Sequence, residues 1–94
     1  MNNELTKLLY RVLESSRGLG EPKYDGGINV VNWPDSFKTE VQQLVDGFYS
    51  AGNADVLRAC SDILHQAPQG VPRGLIQILA RALFDNPDTP LKGS

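Results

Sequence analysis

Four stretches of this chain repeat apolar residues at the spacing of one helix face. In the first stretch, apolar side chains recur at i, i+3, i+4, i+7 and i+8. Its members are Leu5, Leu8, Leu9, Val12 and Leu13. The other three stripes are Phe37, Val41, Leu44, Val45 and Phe48; Val56, Leu57, Cys60, Ile63, Leu64 and Ala67; and Leu75, Ile76, Leu79, Ala82 and Leu83. We therefore predict helices over about 3–17, 35–51, 54–67 and 72–85.

Residues with special backbone or capping properties stand at the predicted helix ends. Gly18 suits the left-handed position that closes the first helix. The second helix is expected to begin after Trp33-Pro34, capped by Asp35 or Ser36, and to end at Gly52. Asn53 is the predicted cap of the third helix. So tight a connection between the second and third helices favours an antiparallel pair.

Segment 18–34 breaks the helical pattern with several glycines and prolines. Asp25-Gly26-Gly27 is typical of a turn, and a β-branched run follows it from Ile28. The segment is expected to form either a long ordered loop or a short β-hairpin of residues 23–24 against 28–30, packed over the helices. A connection of this length is unusual and often carries function.

The pooled apolar stripes predict a mainly all-α fold, a compact four-helix domain spanning residues 1–86. The chain has 94 residues, of which 40% are hydrophobic, and this supplies one core but not two. Asp85-Asn86-Pro87 is expected to end the fourth helix, and residues 87–94, which contain two prolines, are expected to form a flexible tail.

Charge and hydropathy narrow the classes of partner. Nine basic and 11 acidic residues give a net charge of -2, so attraction to nucleic acid or anionic lipid is not favoured. No apolar run approaches the roughly 20 residues of a membrane span. The sequence Met1-Asn2-Asn3-Glu4 lacks the features of a signal peptide, and the single cysteine cannot form an internal disulfide. We expect a cytoplasmic protein without membrane contact.

Residue types that support catalysis do not come together in the sequence. Cys60 lies on a buried stripe, whereas His65, the single histidine, lies on the polar side of the same predicted helix. Neither a Cys–His pair nor a metal site is therefore expected. The glycines at positions 18, 20, 26 and 27 lack the lysine and hydroxyl residue of a phosphate-binding loop. We predict no cofactor, no metal, no catalytic residue and no enzymatic activity.

A small domain with a good core and no catalytic pattern is expected to act by binding. The leading hypothesis is a protein-binding module that masks a larger protein, as inhibitors, immunity proteins and antitoxins do. Its mild acidity suits a basic partner such as a nuclease. The predicted contact surface combines the 20–34 loop with the exposed side of the second helix. Its residues are Tyr24, Asp25, Trp33, Glu40, Gln43 and Asp46.

Two alternatives remain open at this point. Arg73, Gln77 and Arg81 form a polar stripe on the fourth helix that fits a DNA-binding regulator. The broad apolar side of that helix, around Ile78 and Phe84, fits a homodimer. Trp33 has a structural alternative as well, since an aromatic residue beside Pro34 can staple the start of the second helix.

Overall fold

The computed structural model describes residues 4–67 and 69–85, and this part of the chain forms four helices. They are α1 (Glu4–Ser16), α2 (Asp35–Ser50), α3 (Ala54–His65) and α4 (Arg73–Asp85). The predicted all-α, four-helix fold class is confirmed. The third helix ends two residues before the predicted 67, because the backbone of Gln66, with φ of -105° and ψ of 22°, departs from helical values. The predicted tail at 87–94 lies outside the described residues.

The helices pack as a ring in the order α1, α2, α4, α3. Each of the pairs α1–α2, α2–α4, α1–α3 and α3–α4 is in contact. The consecutive helices α2 and α3 are not among these packed pairs, so the side-by-side packing predicted for them is not found. Ala51 and Asn53 both have extended backbone, with ψ of 129° and 109°, so the short connection leads the chain away from α2.

One apolar core fills the ring, as the four stripes predicted. Its buried helical members are Leu9, Val12, Leu13, Phe37, Val41, Leu44, Phe48, Leu57, Cys60, Leu64, Leu75, Leu79, Ala82 and Leu83. The long loop contributes two more buried side chains, Val30 and Trp33. The loop is thus part of the core and is fixed by it.

Two of the predicted helix ends are confirmed and two are wrong. Gly18 is left-handed, with φ of 90°, and the side chain of Asn53 accepts hydrogen bonds from the first amides of α3. Neither Asp35 nor Ser36 caps α2, which begins after Pro34 without a side-chain cap; the Asp35 carboxylate instead lies 3.1 Å from the Lys38 ammonium. Gly52 is not left-handed, because α2 ends on extended Ala51.

The segment between α1 and α2 is an ordered loop closed by a single antiparallel bridge. Tyr24 and Val30 form that bridge, and the Val31 amide donates to the Lys23 carbonyl at 2.7 Å. The turn between them contains Gly26, whose φ of 102° suits a residue without a Cβ. The bridge joins the two segments that the hairpin prediction paired, 23–24 and 28–30, but no strand longer than this bridge forms in the described chain.

Candidate functional site

An open pocket of about 560 Å³ lies between the long loop and helix α2. The loop contributes one wall, α2 a second, and α4 a single side chain. Its lining residues are Tyr24, Gly27, Ile28, Asn29, Val30, Trp33, Lys38, Val41, Gln42, Val45 and Ile78. The volume falls within the range of small-molecule and side-chain pockets, and most of the lining is apolar, as in such sites. We call this feature the loop pocket.

Two lining residues expose apolar surface to solvent. Ile28 is 90% exposed and Tyr24 is 47% exposed, whereas Val30, Trp33 and Val41 behind them are buried. Val31 is also 57% exposed on the same loop, but it does not line the pocket. An isoleucine this exposed forgoes the free energy that burial of its side chain would contribute in the isolated protein.

Side chains tie together the two limbs of the loop, which are the outgoing limb, residues 19–23, and the returning limb, residues 30–33. The Asn32 amide nitrogen donates to the Glu21 carbonyl, and its oxygen accepts from the Lys23 amide, both at 2.8 Å. The Trp33 indole N–H donates to the Gly20 carbonyl at 2.9 Å. These contacts satisfy backbone groups that a loop would otherwise leave to water, and they hold the pocket wall in one conformation.

A carboxylate joins the loop to α4. The two oxygens of Glu21 accept hydrogen bonds from the amides of Arg73 and Gly74, each at 2.8 Å. These are the first amides of α4, which have no partner within the helix. Pro22 packs beside Gly74, where a Cβ would overlap the proline ring. The loop therefore rests on α4 as well as on α2.

The single charged group that lines the loop pocket is already engaged. The Lys38 ammonium donates to the Val30 carbonyl at 3.0 Å and lies 3.1 Å from a carboxylate oxygen of Asp35. It thereby connects the returning limb of the loop to α2. Because its charge is balanced locally, the pocket is mainly an apolar site.

Some of the predicted contact residues lie at the loop pocket and others lie away from it. Tyr24 lines the loop pocket, and Asp25 stands next to it, with its side chain accepting from the Gly27 amide. Trp33 is 4% exposed, so it cannot serve as the exposed anchor that was predicted. Its ring instead stacks edge-on against Phe37 at 5.1 Å, which agrees with the staple alternative.

The side of α2 that faces the loop also differs from the prediction. Glu40 turns toward α1, where its carboxylate lies 3.6 Å from the Arg11 guanidinium. Gln43 is exposed but does not line the pocket. Asp46 is exposed and accepts from the Gln42 side chain at 2.9 Å, which places it at the pocket margin. Helix spacing groups these residues on the polar side, and only packing shows where that side points.

Sequence reasoning did not assign several pocket residues to the site. They are Ile28, Lys38, Gln42, Val45 and Ile78. The β-branched run beginning at Ile28 could have indicated an apolar surface on the loop, because the loop needs few apolar side chains for its own packing. The sequence gives no such indication for the α2 and α4 residues, since they line the pocket only because the loop folds back over them.

The alternative stripe on α4 is exposed along its length. Arg73, Gln77 and Arg81 all lie on the surface, within about 80° of one another around the helix. However, the Glu21 carboxylate occupies the amides at the start of this helix. A phosphate approaching that end would meet a negative charge.

The apolar patch predicted for a homodimer is divided. Ile78 lines the loop pocket, whereas Phe84 is 52% exposed about 120° away around α4. The two side chains therefore lie on different parts of the α4 surface.

The cysteine and histidine are separated as the helical pattern predicted. Cys60 is fully buried, and burial raises the pKa of its thiol to about 11. His65 is exposed, and its Nδ1 lies 3.0 Å from the Ser61 carbonyl oxygen. A thiol with so high a pKa is a poor nucleophile at neutral pH.

A second, smaller groove of about 280 Å³ separates α1 from α3. Tyr10, Glu14 and Asp62 contribute to its walls.

Among residues 4–67 and 69–85, no three histidine, cysteine or acidic side chains cluster as metal ligands would. None of the helices in the same ranges is both long and apolar enough to cross a bilayer.

No family model matches this chain, and neither a curated protein nor a solved structure matches it significantly.

Proposed function

We propose that this chain is a small, non-enzymatic protein-binding module that masks a larger protein, in the manner of an inhibitor, immunity protein or antitoxin. The observation that carries the proposal is Ile28, which is 90% exposed on an ordered loop beside an apolar pocket. Burying such a side chain against a partner contributes about 1.5–3 kcal/mol.

The order of the loop supports binding because little entropy remains to be lost. The side-chain ties of Asn32 and Trp33 fix the loop without a partner. A rigid surface loses less conformational freedom on association than a mobile one, and more of the contact free energy then appears as affinity. The loop pocket can accept a side chain from the partner while Ile28 is covered.

The proposed contact surface changes in composition from the one that the sequence predicted. It keeps Tyr24, Asp25 and Asp46 and adds Ile28 and Gln42. The carboxylates of Asp25 and Asp46 at its margins suit a partner with basic groups around an apolar contact. Glu40 is not included because it is engaged with α1.

The test is capture of a partner by the tagged full-length chain from its native host, followed by titration calorimetry with the captured protein. Ile28→Ser is expected to weaken binding about tenfold or more, since it removes apolar contact area. Val31→Ser is the matched control, because Val31 is exposed on the same loop but lies off the pocket. Equal affinity of both variants and the wild type would reject this surface.

DNA binding through α4 is the second candidate, favoured by the exposed stripe of Arg73, Gln77 and Arg81. Reversing the charge of Arg73 and Arg81 is expected to abolish salt-dependent retention on DNA if this function holds. If these reversals leave binding of the captured protein intact while Ile28→Ser weakens it, the protein-binding proposal stands and the DNA-binding candidate is rejected.

A further inference from the structure

We propose that Glu21 is a latch: its carboxylate, bound to the first amides of α4, holds the loop pocket in shape before any partner arrives. This inference rests on the proposed function for its biological meaning. Its physical claim concerns the free protein alone and is tested there.

The latch acts on one limb of the loop. The returning limb is fixed to the body by the buried side chain of Val30 and by the Lys38 ammonium on the Val30 carbonyl. The outgoing limb, residues 19–23, reaches α4 through the Glu21 carboxylate and the Pro22 ring. The Asn32 and Trp33 hydrogen bonds join the outgoing limb to the returning limb, whereas Glu21 and Pro22 join it directly to α4.

The geometry of the latch is specific. Both carboxylate oxygens are used, each at 2.8 Å from a different amide, and hydrogen bonds to an ionised acceptor are the stronger kind. The positive end of the helix dipole adds to the attraction. Gly74 is required beside the bond, because a Cβ there would overlap Pro22 and push the limb away.

Tyr24 connects the latch to the site. It follows the outgoing limb, pairs with Val30 in the single bridge, and lines the loop pocket three residues after Glu21. When the carboxylate leaves α4, the outgoing limb gains freedom and the Tyr24 wall moves with it. Glu21 is thus a positioning residue, which shapes the pocket without lining it.

The first measurement is limited trypsin cleavage of the intact chain. Lys23 lies on the outgoing limb with its amide and carbonyl both hydrogen-bonded, whereas Arg58 lies within α3. Global unfolding exposes both sites, so the ratio of cleavage after Lys23 to cleavage after Arg58 reports local opening of the loop. We expect Glu21→Ala to raise this ratio about tenfold or more, and Glu21→Gln to raise it less because it keeps an acceptor.

The second measurement is acrylamide quenching of Trp33, the single tryptophan of the chain, which is 4% exposed and bonded to Gly20. Quenching is expected to increase in Glu21→Ala while the helical circular dichroism is unchanged. Glu14→Gln is the matched control, since Glu14 is an exposed carboxylate of α1 that pairs with Arg17 outside the loop pocket.

An unchanged cleavage ratio and unchanged quenching in Glu21→Ala would overturn the latch and reduce Glu21 to a cap of α4. That result would leave the Ile28→Ser capture test as it stands, because neither measurement involves a partner. Conversely, a loosened loop together with equal capture by wild type and Ile28→Ser would uphold the latch and reject the proposed binding surface.

Discussion

The buried thiol of Cys60 makes the stability of this protein depend on alkaline pH in a predictable direction. Burial raises the pKa of the thiol from its ordinary value of 9.0 to about 11, because the thiolate would lose its solvation in the core. Between these two values the unfolded chain ionises at Cys60 while the folded chain keeps its proton. The stabilising contribution is therefore complete below pH 9 and is lost as the pH rises toward 11.

The magnitude follows from the two pKa values. Each pH unit within this interval removes about 1.4 kcal/mol from the free energy of unfolding, so the loss attributable to Cys60 is about 1.4 kcal/mol at pH 10. For a domain of this size that loss corresponds to a fall in Tm of roughly 6–11 °C.

Cys60→Ala isolates this contribution, because every other titrating group is common to both proteins. At pH 7 the variant is expected to be less stable by about 1 kcal/mol, since the removed sulfur leaves space in the core. Urea unfolding at intervals from pH 7 to 10.5 is expected to show this difference shrinking above pH 9, vanishing between about pH 9.5 and 10, and reversing in sign by pH 10.5. A difference that stays constant over the whole range, or native-state thiolate absorbance appearing near pH 9, would refute the reasoning.

Three further substitutions test the packing and the capping. Gly74→Ala is expected to lower the free energy of unfolding by about 1–3 kcal/mol, because the rigid Pro22 ring cannot turn away from the new methyl group; wild-type stability in urea would contradict this contact. Gly47→Ala is its counterpart on α2, where the new methyl meets the flexible end of Leu5 and the helix gains up to about 1 kcal/mol in propensity. We expect the net change in Tm to be small, and a loss as large as that of Gly74→Ala would show that Leu5 cannot move. Asn53→Ala removes the side-chain cap of α3 and is expected to cost about 1 kcal/mol by thermal unfolding, whereas an unchanged Tm would indicate that water replaces it.

The helices could be predicted because their signals are local. Apolar spacing identified all four stripes, and short-range chemistry identified Gly18 and Asn53 as helix ends. The errors at Asp35 and Gly52 are local as well. Asp35 found a partner in Lys38, and the extended backbone of Ala51 made a left-handed glycine unnecessary.

The candidate site was less predictable because it depends on contacts between distant parts of the chain. The burial of Trp33 and the pairing of Glu40 with Arg11 follow from where the loop and α1 pack, which no local pattern encodes. The bond from Glu21 to Arg73 spans 52 residues, and neither residue type signals the other. Tyr24 lines the loop pocket, whereas Glu40 of α2 faces α1 instead of the loop.

The long span between Glu21 and α4 has a consequence for how the protein is made. During synthesis the loop emerges well before residues 73 and 74, so its anchor does not yet exist, and closing so long a separation is entropically costly until the intervening helices have folded. We expect the pocket wall to be completed last, after the ring of helices has closed. A nascent chain would then hold its helices before it holds the loop pocket, and the proposed binding surface would exist only in the finished molecule.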